Sequence, residues 1–292
     1  MDLSITCVIP THGRPHALRR ALESVAAQTK RPNEVIVVDD MDDEATALVV
    51  SSSRESGMNV RMVRPGLATT RRSAGASRNL GASVASSEFL AFLDDDDHWE
   101  SNYVEEVSKA FAATRKPVVF AALAVVNDGQ EIGRRLAVEG LKPSDVVSNN
   151  PGVTGSNTCI TGELYRALGG YDEDLPVYND LDFLLRILAS GAGYGIAGGA
   201  MAYQNTSGAD HLSSRSKRRA DGIALYRQKH RDLMQRADSR RIKRDIAVAN
   251  RFAGQRPVLK LKYFLATVVN SDFEDVSRFL KRVVLKRSAE YR

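Results

Sequence analysis

The chain has 292 residues, 43% of them hydrophobic and 26% charged, which is enough apolar material for one large domain or two modest ones. No segment approaches the ~20 consecutive apolar residues of a membrane span, and Met1-Asp2-Leu3-Ser4 lacks the basic start of a secretory signal, so a cytoplasmic protein is expected. The net charge of +5 conceals a division: residues 1–210 carry 19 Lys+Arg against 28 Asp+Glu, while residues 211–292 carry 22 against 8. The basic tail suits nucleic acid, anionic lipid or a polyanionic substrate, and composition does not choose among them. Cys7 and Cys159 have neither metal-type spacing nor a disulfide framework, in keeping with a reducing compartment.

Ile5-Thr6-Cys7-Val8-Ile9-Pro10 reads as a buried strand, and Thr11-His12-Gly13-Arg14-Pro15 has loop composition. Leu18, Ala21, Leu22 and Val25 recur at helical spacing, which predicts an amphipathic helix over 16–28. Val35-Ile36-Val37-Val38-Asp39-Asp40 is a second buried strand ending in carboxylates. Together they form a βαβ unit, whose two strands run parallel. A helix over 44–56, a strand Val60–Val63 and a Gly/Ser/Thr/Arg-rich loop from Gly66 to Ser77 follow. Arg71, Arg72 and Arg78 then stand beside the presumed ligand edge, either for a diphosphate or in salt bridges and solvent. A helix over 78–86 leads to the next strand.

That strand, Phe89-Leu90-Ala91-Phe92-Leu93, runs into Asp94-Asp95-Asp96-Asp97. An unbroken apolar run marks a strand buried on both faces, and open α/β sheets bind ligands outside the carboxyl ends of their strands. Side chains alternate along an extended backbone, so Asp94 and Asp96 should point one way and Asp95 and Asp97 the other. Four neighbouring anions call for a counter-charge, and oxygen ligands without paired Cys or His suit Mg²⁺ or Mn²⁺ shared with a phosphorylated substrate. The alternative is an acidic turn that caps the next helix through Asp97 or Ser101.

Beyond it come a helix near 100–114, a strand Val118–Val126 and a hairpin signal at Asp128-Gly129. Gly152 to Thr158 is a small-residue stretch suited to close approach of a ligand, and Glu163 to Leu168 is a short helix stopped by Gly169-Gly170. Asn179-Asp180-Leu181-Asp182 opens another helix, in which Asp182 and Arg186 form an i,i+4 pair and Asp180 is either an N-cap or a base that the helix dipole keeps ionised. Near the C-terminus, Phe273, Val276, Phe279, Leu280, Val283 and Val284 alternate with Lys and Arg as a basic amphipathic helix, with another over 258–269. Such a helix binds anionic membrane, or packs on the domain or on a second copy in a homodimer.

Five segments, taken in order, resemble the family 2 glycosyltransferases. These are Ile9-Pro10-Thr11-His12-Gly13-Arg14, the unit from Ala21-Leu22-Glu23-Ser24-Val25 to Asp39-Asp40, and Ser77-Arg78-Asn79-Leu80-Gly81; then Phe92-Leu93-Asp94-Asp95-Asp96-Asp97-His98-Trp99, and Gly169-Gly170-Tyr171-Asp172-Glu173 with Asn179-Asp180-Leu181-Asp182. His12-Gly13 replaces the family's usual Tyr-Asn, and Asn179 a common Glu. The resemblance implies an α/β GT-A fold: a mostly parallel, Rossmann-like sheet flanked by helices over residues 1–220 (nucleotide half 1–100, acceptor half 101–220), with a basic helical extension over 221–292. It also implies an inverting, metal-dependent transfer from a nucleotide sugar, UDP-linked or dTDP-linked, to a glycan or polyprenyl-linked acceptor in surface polysaccharide assembly.

By the same resemblance, Asp40 accepts the N3–H of the pyrimidine and Asp94 lies near the ribose. Pro10, Thr11, Arg14 and Asp95, with Arg71 and Arg78, complete the donor pocket. Asp96 ligates Mn²⁺ or Mg²⁺ together with His211, and Asp180 takes the acceptor's proton. Trp99, Ser156, Asn157 and Asn179 face the acceptor, while His211, Arg215, Lys217 and Arg218 form a flap. The tail places the protein peripherally at the inner face of the cytoplasmic membrane. Two rivals are a sugar-phosphate nucleotidyltransferase and a non-catalytic nucleic-acid-binding protein. The first wants a Gly-rich phosphate loop where only Gly13 stands, and the tail offers the second no aromatic platform or zinc motif, so no nucleic acid is expected.

Overall fold

A computed structural model of the chain describes residues 3–66, 73–207, 216–253 and 257–271. The chain divides into two compact units, Met1–His211 and Leu212–Arg292, a boundary nine residues earlier than the sequence suggested.

In the first unit the elements run β1 (Ile5–Thr11), α1 (Pro15–Ala26), β2 (Glu34–Asp39), α2 (Glu44–Glu55), β3 (Val60–Val63), α3 (Ala74–Ser83), β4 (Phe89–Phe92) and β5 (His98–Trp99). They continue with α4 (Tyr103–Thr114), β6 (Val118–Asn127), β7 (Gln130–Arg135), α5 (Pro143–Val146), β8 (Thr158–Thr161), α6 (Gly162–Ala167), α7 (Asn179–Ala189) and β9 (Tyr194–Asn205). One sheet holds them in the order β3-β2-β1-β4-β8-β6-β9-β5, with β7 paired to β6. From β3 to β4 every pairing is parallel. Beyond β4 the sheet is mixed: β8 is antiparallel to both β4 and β6, β9 is parallel to β6, and β5 is antiparallel to β9. The mostly parallel expectation therefore describes the nucleotide half.

β1, β2 and β4 are buried along their whole length, as their unbroken apolar runs require. Leu18, Leu22 and Val25 bring α1 into that core. The Asp128-Gly129 turn has φ of 48° and 78°, the doubly positive geometry that lets a two-residue loop join twisted strands. α3 starts at Ala74, four residues before the expected start, because the Ser73 hydroxyl caps it by accepting from the Ala76 N–H at 3.2 Å. In the second unit α8 (Lys217–Lys229), α9 (Arg236–Ala253) and α10 (Pro257–Val269) are helical, and the amphipathic segment from Phe273 lies outside the described residues.

Candidate active site

The acidic ends of β2 and β4 stand on the same edge, because β1 lies between the two strands and runs parallel to both. The carboxylates divide into holders and presenters. Asp39 is fully buried and accepts from the Met41 and Asp43 N–H groups at 3.1 and 2.8 Å, which shapes the loop. Asp40, at 7% exposure, meets His12 Nδ1 at 2.5 Å. An open hollow of about 840 Å³ beside this loop is lined by Gly13, Met41, Asp42 and Arg64, among others.

After β4 the backbone turns, with the Asp97 N–H donating to the Asp94 carbonyl at 3.0 Å, and the expected alternation holds. Asp94 and Asp96 are 27% and 17% exposed, whereas Asp95 and Asp97 are buried. Asp97 accepts from Ser156 Oγ at 2.6 Å and the Asn205 N–H at 3.0 Å, and burial pushes its carboxyl well up. The helix-capping alternative fails, since α4 is preceded by Asn102, whose side chain makes no capping bond. Asp95 accepts from Thr11 Oγ1 at 2.7 Å and from the Arg14 fork, and burial still raises it to about 6. Arg14 reaches on to Asp96 at 2.8 Å, binding two neighbouring anions with one guanidinium.

Asp180 lies in the first turn of α7, behind Tyr178, whose left-handed φ of 61° is strained for a bulky residue. Burial pushes Asp180 up to about 6, although Arg78 and the Gly155 N–H pull it down. Arg78 Nη1 stands 3.7 Å from Asp180 Oδ1 while Nη2 bonds Asp94. Asn79, next on α3, ties down the segment before α7: its amide donates to the Tyr171 carbonyl and Glu173, and its oxygen accepts from the Tyr171 N–H and Tyr165 hydroxyl.

Several expected site residues are placed differently. Arg78 is 2% exposed and turned toward carboxylates, so it is not a wall open to a diphosphate. Trp99 is buried, stacked on Tyr103 at 4.3 Å, and donates from its indole to the Ser156 carbonyl at 2.7 Å; it braces the site and offers an acceptor no face. Ser156 and Asn157 are fully buried, the first holding Asp97 and the second bonding the Ala121 and Gly152 carbonyls. Asn179 accepts from the Asp180 N–H at 2.8 Å, a local bond at the helix start. Pro10 and Thr11 complete β1 and are buried. Lys217 and Arg218 open α8 in the second unit, where Lys217 pairs with Asp221 at 3.0 Å. Arg71, His211 and Arg215 lie outside the described residues. Sequence reading gave no role to His12, Gly155 or Tyr171; the departure at His12-Gly13 from the usual Tyr-Asn was the signal for the first, the small-residue stretch Gly152 to Thr158 for the second, and the segment Gly169-Gly170-Tyr171-Asp172-Glu173 for the third.

The model of glycosyl transferase family 2 matches residues 6–157, more than half of the chain, and the chain belongs to that family. Among curated relatives, the amylovoran biosynthesis glycosyltransferase AmsB of Erwinia amylovora is 28% identical over 49% of this chain and 47% of its own length. The Escherichia coli protein WfgD, named as a UDP-Glc:alpha-D-GlcNAc-diphosphoundecaprenol beta-1,3-glucosyltransferase, is 25% identical over 51% of this chain and 56% of its own. The chain thus spans about half the length of these two relatives. The structure of S. aureus TarS 1-349 with UDP-GlcNAc superposes at a TM-score of 0.66, with 17% identity, over 90% of this chain and 79% of that one, which establishes the GT-A fold.

Proposed function

We propose that this chain is an inverting, metal-dependent glycosyltransferase that moves a sugar from a nucleoside-diphosphate donor, UDP-linked by preference and dTDP-linked as the second choice, to a hydroxyl of a glycan or lipid-linked saccharide. The observation that carries the reading is Asp180: a carboxylate raised to about 6, set at the sheet edge where Asp94 shares its cation. A base of that strength is ionised at neutral pH and still basic enough to accept a hydroxyl proton. The names of WfgD and of the TarS complex support a UDP-sugar and a lipid-linked acceptor.

In the step itself, Asp180 takes the proton of the acceptor hydroxyl as that oxygen bonds to the anomeric carbon. The bond from that carbon to the diphosphate oxygen breaks, and its electron pair leaves with the nucleoside diphosphate. Attack opposite the leaving group inverts the centre. Asp40, largely buried and next in the chain to Met41 of the hollow's lining, accepts the pyrimidine N3–H through its remaining exposed edge, as an ionised carboxylate can only accept. The hollow's acidic lining, which includes Asp42, suits the uncharged base and not the diphosphate.

A divalent cation would sit at the tip of β4. No group of three or more His, Cys, Asp or Glu side chains among the described residues is arranged to cage one. Asp96, partly exposed after β4, would hold Mn²⁺ or Mg²⁺ together with His211, the remaining ligands being supplied by the diphosphate and water. When bound, the ion stabilises the charge developing on the leaving diphosphate. We keep His211 as its second protein ligand and Arg215, Lys217 and Arg218 as a flap, to be tested by substitution. The experiment for the whole reading is release of UDP from a panel of UDP-sugars with undecaprenyl-diphosphate-linked GlcNAc as acceptor. Turnover that requires Mn²⁺ or Mg²⁺ and falls in Asp180→Asn upholds it; turnover indifferent to both overturns it.

A further inference from the structure

Arg78 is almost completely buried, yet its Nε and Nη1 donate no hydrogen bond among the described residues, and the Asp180 Oδ1 that faces it has no hydrogen-bond partner either. An arginine at that depth with two idle donors is costly unless its charge is used. Three surroundings hold it: α3, which carries it; the Tyr171 ring, 4.8 Å from its Cζ; and the turn at Gly155, where an added Cβ would stand 2.7 Å from Nη2 and 2.9 Å from Nε and Cζ. The guanidinium lies in a fitted slot, and its two ends face Asp94 and Asp180.

Resting on the reading of Asp180 as proton acceptor, we propose that Arg78 is a positioning residue: one buried cation shared by the donor-side carboxylate Asp94 and the proton-accepting carboxylate Asp180. A planar fork can address two anions at fixed angles, which a lysine ammonium cannot. The groups acting on Asp180 are few. Burial and the Asp94 charge, from the turn after β4, raise it; Arg78, from α3, and the Gly155 N–H, from the turn before β8, lower it. Without Arg78, the two raising influences face only one hydrogen bond, so the base keeps its proton to higher pH.

The test uses the full chain. Isotope-edited infrared titration follows the Asp180 carboxylate band, assigned by its absence in Asp180→Asn, in the wild type and in Arg78→Met, Arg78→Lys and Gly155→Ala. The midpoint, near 6 in the wild type, is expected to rise by about one to three pH units in Arg78→Met and by less in Arg78→Lys. Gly155→Ala keeps both the charge and the Gly155 N–H but displaces the guanidinium; it is expected to raise the midpoint too and decides alone if circular dichroism shows Arg78→Met unfolded. UDP affinity with Mn²⁺ at pH 8 should change by less than about tenfold. A midpoint that does not rise in the folded variants overturns the proposal, and so does a larger loss of UDP affinity, which would make Arg78 a diphosphate ligand. Full turnover in Asp180→Asn would remove the base reading, while the infrared midpoint would still decide the role of Arg78.

Discussion

A carboxylate in the first turn of a helix is ordinarily kept ionised by the helix dipole. Asp180 occupies such a place in α7 and nevertheless titrates at about 6, because burial outweighs the influences that favour its charge. If it is the base, kcat falls about tenfold per pH unit below about 6, since only the ionised form accepts a proton. The same shift acts on stability. Its folded pKa lies above its unfolded one, so its contribution is fully present at low pH and is lost as pH rises through about 6. Asp180→Asn is therefore expected to lower kcat by about 10²–10⁴. It should also raise unfolding stability at pH 8 by about 1–3 kcal/mol, measured by urea denaturation. Loss of both activity and stability at pH 8 would mark Asp180 as structural.

At the scale of elements, α3 carries Arg78 and Asn79, and its seating on the sheet sets where both point. The contact is close: a Cβ on Gly81 would lie 2.4 Å from Val8 Cγ1 and 3.1 Å from Val38 Cγ2. Gly81→Ala is expected to cost about 1–3 kcal/mol by lifting the helix, read by urea denaturation; an unchanged midpoint would mean that α3 is free to shift. The nucleotide half was legible in the sequence because its strands are unbroken apolar runs and its helices keep a clean period, and the acidic tips followed from that. The acceptor half was less so. β9 is interrupted by Gly198-Gly199, and its register on β6 jumps from Ala197 to Met201, so no strand period survives to be read. β5 is two residues long. The roles of Trp99 and Ser156 depend on partners more than fifty positions away, which no local pattern encodes. What spacing did reveal was the alternation of the four aspartates, and what it could not reveal was that Arg78 faces inward.

For the molecule as a whole, the acidic first 210 residues and the basic remainder have different surfaces. In the second unit, α10 leaves Val258, Leu261, Leu265, Val268 and Val269 exposed on one helical face, with Lys262 beside it. A stripe of this kind in a basic segment suits the surface of an anionic bilayer, where a lipid-linked acceptor resides. The full chain is expected to sediment with vesicles containing phosphatidylglycerol and not with phosphatidylcholine alone, less at high salt, and less again in Leu261→Glu/Leu265→Glu. Sedimentation unaltered in that double variant would remove α10 from membrane contact.

A single donor pocket requires the tips of β2 and β4 to act together on one nucleotide, and calorimetric binding of UDP reads that directly. UDP should bind in the presence of Mn²⁺, and Asp40→Ala and Asp96→Ala should each weaken it by about tenfold or more, the first through the base and the second through the cation. UDP binding that ignores both substitutions would contradict it.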